Sequence, residues 1–260
     1  MSRETEGTSS HSTAPAPVSA DVGVVAALGI EVGFLTDRLK KVRKYSGPRH
    51  KVIEGEAGDK LVALIVGGAG RRAARRATEL LIDGHRPRWV ISAGFAGALD
   101  PSLSRGALVR AAEIVDTDGG RFPIEAENAP IETAEFPGRP GRLLTVDEIV
   151  RTATEKAALR ARYEADVVDM ESSAVAAVCL ERAVRFQSVR VVSDDATADL
   201  PKEVVTLMTR SGSYLVGSAL RAVWNRPSAL KDFWALHEHA QTAADRLADA
   251  LLATIARLPA

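Results

Sequence analysis

Apolar residues fall along the chain in short, strand-length runs, separated by helical periods and by turns that contain glycine. The first, Val22 to Leu28, is a continuous run of the length of a buried strand. A short helix is expected next, through Gly33 to Leu39. His50 to Ala57 and Lys60 to Val66 read as a hairpin, because the intervening Gly58-Asp59 suits a two-residue turn of type I′ or II′. Gly67-Gly68-Ala69-Gly70 then opens a helix that carries Ala73, Ala77, Leu80 and Leu81 on one face. Trp89 to Ala93 is a second buried strand, expected to end in the glycine turn Gly94-Phe95-Ala96-Gly97, and Ala107 to Val115 is another. Residues 116–141 hold many Gly, Pro and Glu without a period, which predicts a long surface loop of the kind used as a lid or interface segment. Arg142 to Val146 and Asp166 to Val168 read as short strands, Glu171 to Val184 as a helix and Ser188 to Val192 as a strand. Beyond Pro201 the pattern predicts two amphipathic helices broken at Arg226-Pro227.

Strands that alternate with helices predict an α/β fold: a single domain with a mixed, largely parallel central sheet flanked by helices on both faces. Residues 1–20, rich in Ser, Thr, Ala and Pro, have no apolar face to bury and are expected to be a disordered tail. The domain then covers residues 21–260, with its C-terminal helices from about residue 202.

Charge and composition remove several function classes. Lys plus Arg and Asp plus Glu number 34 each, so the zero net charge gives no general attraction to nucleic acid. The single Cys179 cannot form an internal disulfide, and no Cys/His cluster has zinc-ligand spacing, so no metal is expected. No apolar run approaches the roughly 20 residues that span a bilayer. The N-terminus lacks the basic-then-apolar order of a secretory signal. A cytoplasmic enzyme without a membrane partner is the expectation. Neither glycine turn has the G-x-G-x-x-G fingerprint, which argues against a nicotinamide cofactor, and no other cofactor is expected.

Ligands of open α/β sheets gather where strands end. Three expected strand ends carry acids: Leu28–Glu31, Asp169–Glu171 and Ser193–Asp195. Each has a plain alternative. Asp169 and Glu171 suit the cap and first turn of a helix, Ser193-Asp194-Asp195 suits an N-cap, and Glu31 suits a solvated helix start. The run Arg71-Arg72 with Arg75-Arg76 fits a solvated helix face or an oligomer contact, with an anion site as the other option.

The order of these segments resembles the nucleoside phosphorylase superfamily, and within it the methylthioadenosine/S-adenosylhomocysteine nucleosidases. There is also a likeness to hopanoid-associated phosphorylase-like proteins in Leu143-Leu144-Thr145-Val146-Asp147. The resemblance covers roughly Asp21 to Leu220. It is carried by Ala26-Ala27-Leu28-Gly29-Ile30-Glu31, by Ala93-Gly94-Phe95-Ala96-Gly97, and by Val168-Asp169-Met170-Glu171 paired with Arg190-Val191-Val192-Ser193-Asp194. It implies a nucleoside phosphorylase-like fold and hydrolysis of the N-glycosidic bond of a purine nucleoside, expected to be a 5′-modified adenosine. Glu31 would then activate water. Met170 and Glu171 would hold the ribose hydroxyls, with Gly94, Phe95 and Ala96 beside the sugar and Ile149 at the base. Asp194, held protonated by burial and oriented by Ser193, would bond the purine near N7. A homo-oligomer, dimer or hexamer, is implied as well. Two departures bear on the reaction. Arginines and a hydroxyl that bind phosphate in the phosphorylases have no match here, Ser92 and Phe95 standing near or at those positions, which favours water over phosphate. The base pocket around Thr145 to Val150 has no stacking ring. A phosphate-dependent phosphorylase, including the hopanoid-associated type, and a catalytically silent nucleoside-binding protein are the alternatives.

Overall fold

The computed structural model describes residues 19–47, 50–124, 138–200 and 228–259, with side chains in the last stretch described from residue 240. In chain order the elements are β1 (Val22–Ala26), α1 (Gly29–Arg38), β2 (Lys40–Ser46), β3 (Lys51–Ala57), β4 (Lys60–Val66) and α2 (Arg71–His85). There follow β5 (Trp89–Ala98), β6 (Leu108–Asp116), β7 (Arg121–Pro123), β8 (Arg139–Thr145) and α3 (Ala153–Tyr163). β9 (Val167–Asp169), α4 (Ser172–Glu181), β10 (Arg185–Asp194) and α5 (Ser228–Arg257) complete the described elements.

Alternation along the central strands explains the layers. Val22, Val24, Ala26, Leu64, Ile91 and Ala93 point to one face and pack with Val32 and Leu35 of α1 and Leu247 and Leu251 of α5. Their neighbours Val25, Ala63, Ile65 and Val90 point to the other and pack with Ala74, Ala77 and Leu81 of α2 and Val175 and Val178 of α4. A strand buried on both faces reads as an unbroken apolar run, which is how β1 and the start of β5 read.

The expected α/β domain with helices on both faces is present, but the sheet is not largely parallel. Among the described residues five strand pairings are parallel and five antiparallel. The sheet runs β2-β3-β4-β1-β5 and continues β9-β8-β6-β10, and β10 then pairs back with β5. Five strands therefore close a barrel-like ring, with β5 as the seam. Within the ring β9 is parallel to β8, which it follows through the crossover helix α3, and antiparallel to β5.

Other differences are local. Strand β5 does not stop at Ala93. Gly94 to Gly97 continue it and pair with Arg190 to Asp194 of β10, so these glycines form no turn. β2, a lysine-rich and mostly exposed strand, and α3 were not expected from the pattern. The 116–141 loop is shorter than expected: β7 pairs with β6, and β8 begins at Arg139, while residues 125–137 lie outside the described residues. Residues 1–18 of the expected tail lie outside them too, whereas Ala20 is buried and donates its N–H to the His85 carbonyl. The expected break at Arg226-Pro227 also falls outside the described residues, and α5 follows it.

Candidate active site

The seam strand is the floor of the site. A Cβ at Gly94 would lie 2.7 Å from Glu31 Oε1, so any side chain there would push the carboxyl aside. At Gly97 a Cβ would lie 3.1 Å from Asp194 Oδ2. The two glycines keep the strand flat where two carboxyl groups lie against it.

Glu31 is only 5% exposed, so it is not the solvated helix-start residue its position allows. Its Oε2 accepts the N–H groups of Ala27 (3.0 Å) and Leu28 (2.7 Å), and its Oε1 accepts that of Phe95 (3.0 Å). Burial raises its pKa, against the lowering effect of these amides and of the Arg190 charge. Phe95 thus serves Glu31 through its backbone, while its ring packs against the core cluster shared by α1 and α5.

Glu171 stands just before α4, yet its carboxyl turns away from that helix. Oε1 accepts the Gly70 N–H at 2.7 Å, from the turn that opens α2, and Oε2 accepts the Met170 N–H at 3.3 Å. The residue keeps some solvent contact although protein surrounds the carboxyl. Burial first, then the charges of Asp169 and Glu31, push its pKa up to about 8. The structure therefore brings Glu31 and Glu171 within mutual electrostatic reach. The helix-start alternative holds for Asp169 instead, whose carboxylate accepts the Ser172 N–H at 3.1 Å.

Asp169 also anchors a buried polar platform beneath these groups. Arg190 donates to Asp169 Oδ2 through Nε (3.0 Å) and Nη2 (2.7 Å), and Nη2 lies within bonding distance of Ser92 Oγ (2.8 Å) and Ser172 Oγ (2.9 Å). Thr145 donates to Asp169 Oδ1 at 2.8 Å. The platform joins β5, β8, β9, α4 and β10.

Asp194 ends β10 opposite Gly97, whose other neighbour is Val168 of β9. Ser193 Oγ is 2.7 Å from Asp194 Oδ1 and 3.2 Å from the Ala96 carbonyl. Asp194 is buried, and it has a cationic partner. Lys156 of α3, fully buried, donates to Asp194 Oδ2 at 2.6 Å. Lys156 is the functional candidate that sequence reasoning missed. The available signal was the capping box Thr152-x-x-Glu155, which marks the start of α3 and is formed: Thr152 Oγ1 accepts the Glu155 N–H, and Glu155 Oε2 accepts the Thr152 N–H.

Ile149 and Met170 are half-buried. Met170 and Val150 pack against the cluster that holds Val146, and Val146 donates its N–H to the Asp169 carbonyl, so the β8–α3 segment carrying Ile149 lies beside the end of β9. Arg71 neither faces solvent freely nor awaits an anion: it pairs with Asp147 and, at 2.6 Å, with Asp118. Among the described residues no group of three or more His, Cys, Asp or Glu could hold a metal ion. No described helix is long and apolar enough to cross a membrane.

The chain is similar to known proteins in sequence and in fold. The chain is 27% identical over 227 residues to the 5′-methylthioadenosine/S-adenosylhomocysteine nucleosidase of Staphylococcus haemolyticus, a match spanning 78% of this chain and 100% of that protein. It is 26% identical over 200 residues to the enzyme of the same description from Staphylococcus carnosus, spanning 68% and 88%. Among solved structures, the nucleosidase from Neisseria meningitidis in complex with methylthio-immucillin-A superposes with a TM-score of 0.68 at 23% identity, covering 91% of this chain and 98% of that one. The S-adenosylhomocysteine nucleosidase from Streptococcus pyogenes in complex with 5-methylthiotubericidin gives 0.71 at 18% identity, covering 93% and 98%. The model of the phosphorylase superfamily matches residues 21–140 and 124–256, and the chain belongs to that superfamily.

Proposed function

We propose that this protein hydrolyses the N-glycosidic bond of a purine nucleoside, an adenine nucleoside carrying a thioether at C5′ such as methylthioadenosine or S-adenosylhomocysteine. The observation that carries the reading is the approach of two acids to one stretch of β5, Glu31 at Phe95 and Asp194 at Gly97, with Glu171 close enough to Glu31 for their charges to interact. Three residues of strand span about 10 Å at roughly 3.3 Å per residue. A nucleoside laid along that stretch has its sugar at one end and its purine at the other.

Glu31 takes the proton from the attacking water, and burial, which raises its pKa, makes it a stronger base than a free carboxylate. Glu171, with Met170 beside it, holds the ribose hydroxyls. Asp194, oriented by Ser193, receives the purine at N7, and Ile149 borders the base. Breaking the C1′–N9 bond leaves positive charge on the sugar and negative charge on the base, and groups fixed around each end lower that barrier. Water is favoured over phosphate because the arginines at hand are already committed, Arg71 to Asp118 and Asp147 and Arg190 to Asp169. Hydrolysis by these residues calls for no cofactor, and a cytoplasmic place fits it. An assembly of copies is also proposed, with the exposed Leu80 of α2 and Leu180 of α4 as the apolar surface it would cover.

The test is release of adenine from methylthioadenosine by the purified protein, with and without added phosphate. Adenine and free methylthioribose are expected in both. Strict dependence on phosphate would establish a phosphorylase, and binding without any release would establish a silent binding protein. Asp194→Asn is expected to slow turnover by about 10²–10⁴-fold, the usual reach of general acid catalysis, in a folded chain.

A further inference from the structure

Lys156 has the marks of a built position. Its side chain is fully buried on a helix whose other described positions are half-buried or exposed. An ammonium has three protons, and three acceptors meet it: Asp194 Oδ2 at 2.6 Å, the Asp195 carbonyl at 2.6 Å and the Ala198 carbonyl at 3.1 Å. Burying a lone lysine is costly, so a site that saturates the charged form and aims it at one carboxylate needs a reason beyond packing. The segment that supplies the two carbonyls is tied to the same helix, since Asp199 accepts the Ala153 N–H at 2.8 Å. The second carboxylate oxygen has its own device. Ser193 has one proton and two acceptors, Asp194 Oδ1 and the Ala96 carbonyl. It can donate to an ionised Asp194, or turn to Ala96 and accept from a protonated one.

On the reading that this site releases a purine, we infer that Lys156 is the proton source for the departing base, acting through Asp194. As C1′–N9 breaks, its electron pair withdraws into the purine. Asp194 takes one proton from Lys156 Nζ and passes one to N7, so its own charge is the same before and after, and Lys156 is left as a neutral amine. The attacking water gives its proton to Glu31 and its hydroxyl to C1′. Solvent returns the Glu31 proton to the amine when the products leave, and the sum is one water added. Lys156 is thus a positioning and proton-supplying residue that never touches the nucleoside.

A leaving group that needs no proton separates this role from a structural one. Wild type and Lys156→Met are compared on methylthioadenosine and on a 4-nitrophenyl riboside bearing the same 5′-methylthio group, whose nitrophenolate departs as the anion. Lys156→Met is expected to lose at least about 100-fold in kcat on the adenine nucleoside, while staying within about threefold of wild type on the nitrophenyl riboside. Equal losses on both substrates, or undiminished release of adenine, overturn the inference. Should Lys156→Met fail to fold with Asp194 left buried and unpaired, the double variant Lys156→Met/Asp194→Asn removes both charges and is compared with Asp194→Asn alone. Residues that act as one unit give a double variant no slower than the single one, within about threefold. A further loss of tenfold or more places the lysine in some other role and overturns the inference. If wild type itself releases no base, the proposed function fails before the lysine is tested.

Discussion

At the scale of single residues, the site is a set of charges placed where water would ordinarily be needed. Glu171 shows the consequence most directly. Its pKa in the folded chain is about 8, because of burial and of the nearby Asp169 and Glu31, against 4.5 for a free side chain. Arg190, paired with Asp169, offsets this only in part. Below pH 4.5 the group is protonated in both the folded and the unfolded chain, and its contribution to stability is fully present. Between 4.5 and about 8 the unfolded chain ionises while the folded one holds its proton, so stability falls as pH rises. Glu31, also raised, acts in the same direction. Glu171→Gln removes the Glu171 share of this slope. The drop in melting temperature from pH 5 to pH 9 is expected to be smaller in Glu171→Gln than in wild type, with the two chains most alike at the acid end. Equal drops in the two chains would show that Glu171 ionises freely. The sequence made Glu31, Glu171 and Asp194 legible as candidates because each stands at the end of an apolar strand. It could not reveal Lys156, since a lysine four residues into a polar helix is exposed in almost every protein, and only the fold brings Asp194 over it.

At the scale of elements, what could be read depended on whether a segment's form is set locally. β1, the hairpin of β3 and β4, and the helices α2 and α4 follow from apolar period and turn chemistry within a dozen residues, and they were legible. The stretch Gly94–Gly97 was not. Two glycines in four residues ordinarily signal a turn, but here they answer to carboxyl groups that arrive from residues 31 and 194. β2, charged and mostly exposed, owes its strand form to its partner β3 and not to a buried face. Gly94→Ala tests the reading of β5. Its methyl would meet Glu31 Oε1 at 2.7 Å, so the carboxyl must shift away from the Phe95 N–H. A displacement near 1 Å in a positioned base costs on the order of 10²-fold in rate. Activity of Gly94→Ala is expected to fall by about that factor, measured as kcat, while far-UV circular dichroism is unchanged. Wild-type kcat in that variant would detach Glu31 from the chemistry.

At the scale of the whole molecule, the closed ring and the open half-sheet meet at β5, and the pair Arg190–Asp169 fastens that seam. Arg190 is 1% exposed and reaches Ser92 on β5, Asp169 at the end of β9 and Ser172 on α4, while Thr145 of β8 holds the other Asp169 oxygen. Arg190→Met keeps the volume but leaves the Asp169 carboxylate buried without its cation, which typically costs about 3–5 kcal/mol. Adding Asp169→Asn removes the stranded charge, and the double variant Arg190→Met/Asp169→Asn is expected to recover a substantial part of that loss. Urea titration of the three chains measures both steps. The double variant is expected to remain slow in base release even when it folds, because Arg190 also supplies the positive charge that partly offsets Glu31 and Glu171. A single Arg190→Met substitution as stable as wild type would mean that the seam is held by its backbone pairing alone, with the buried charges contributing nothing to its closure.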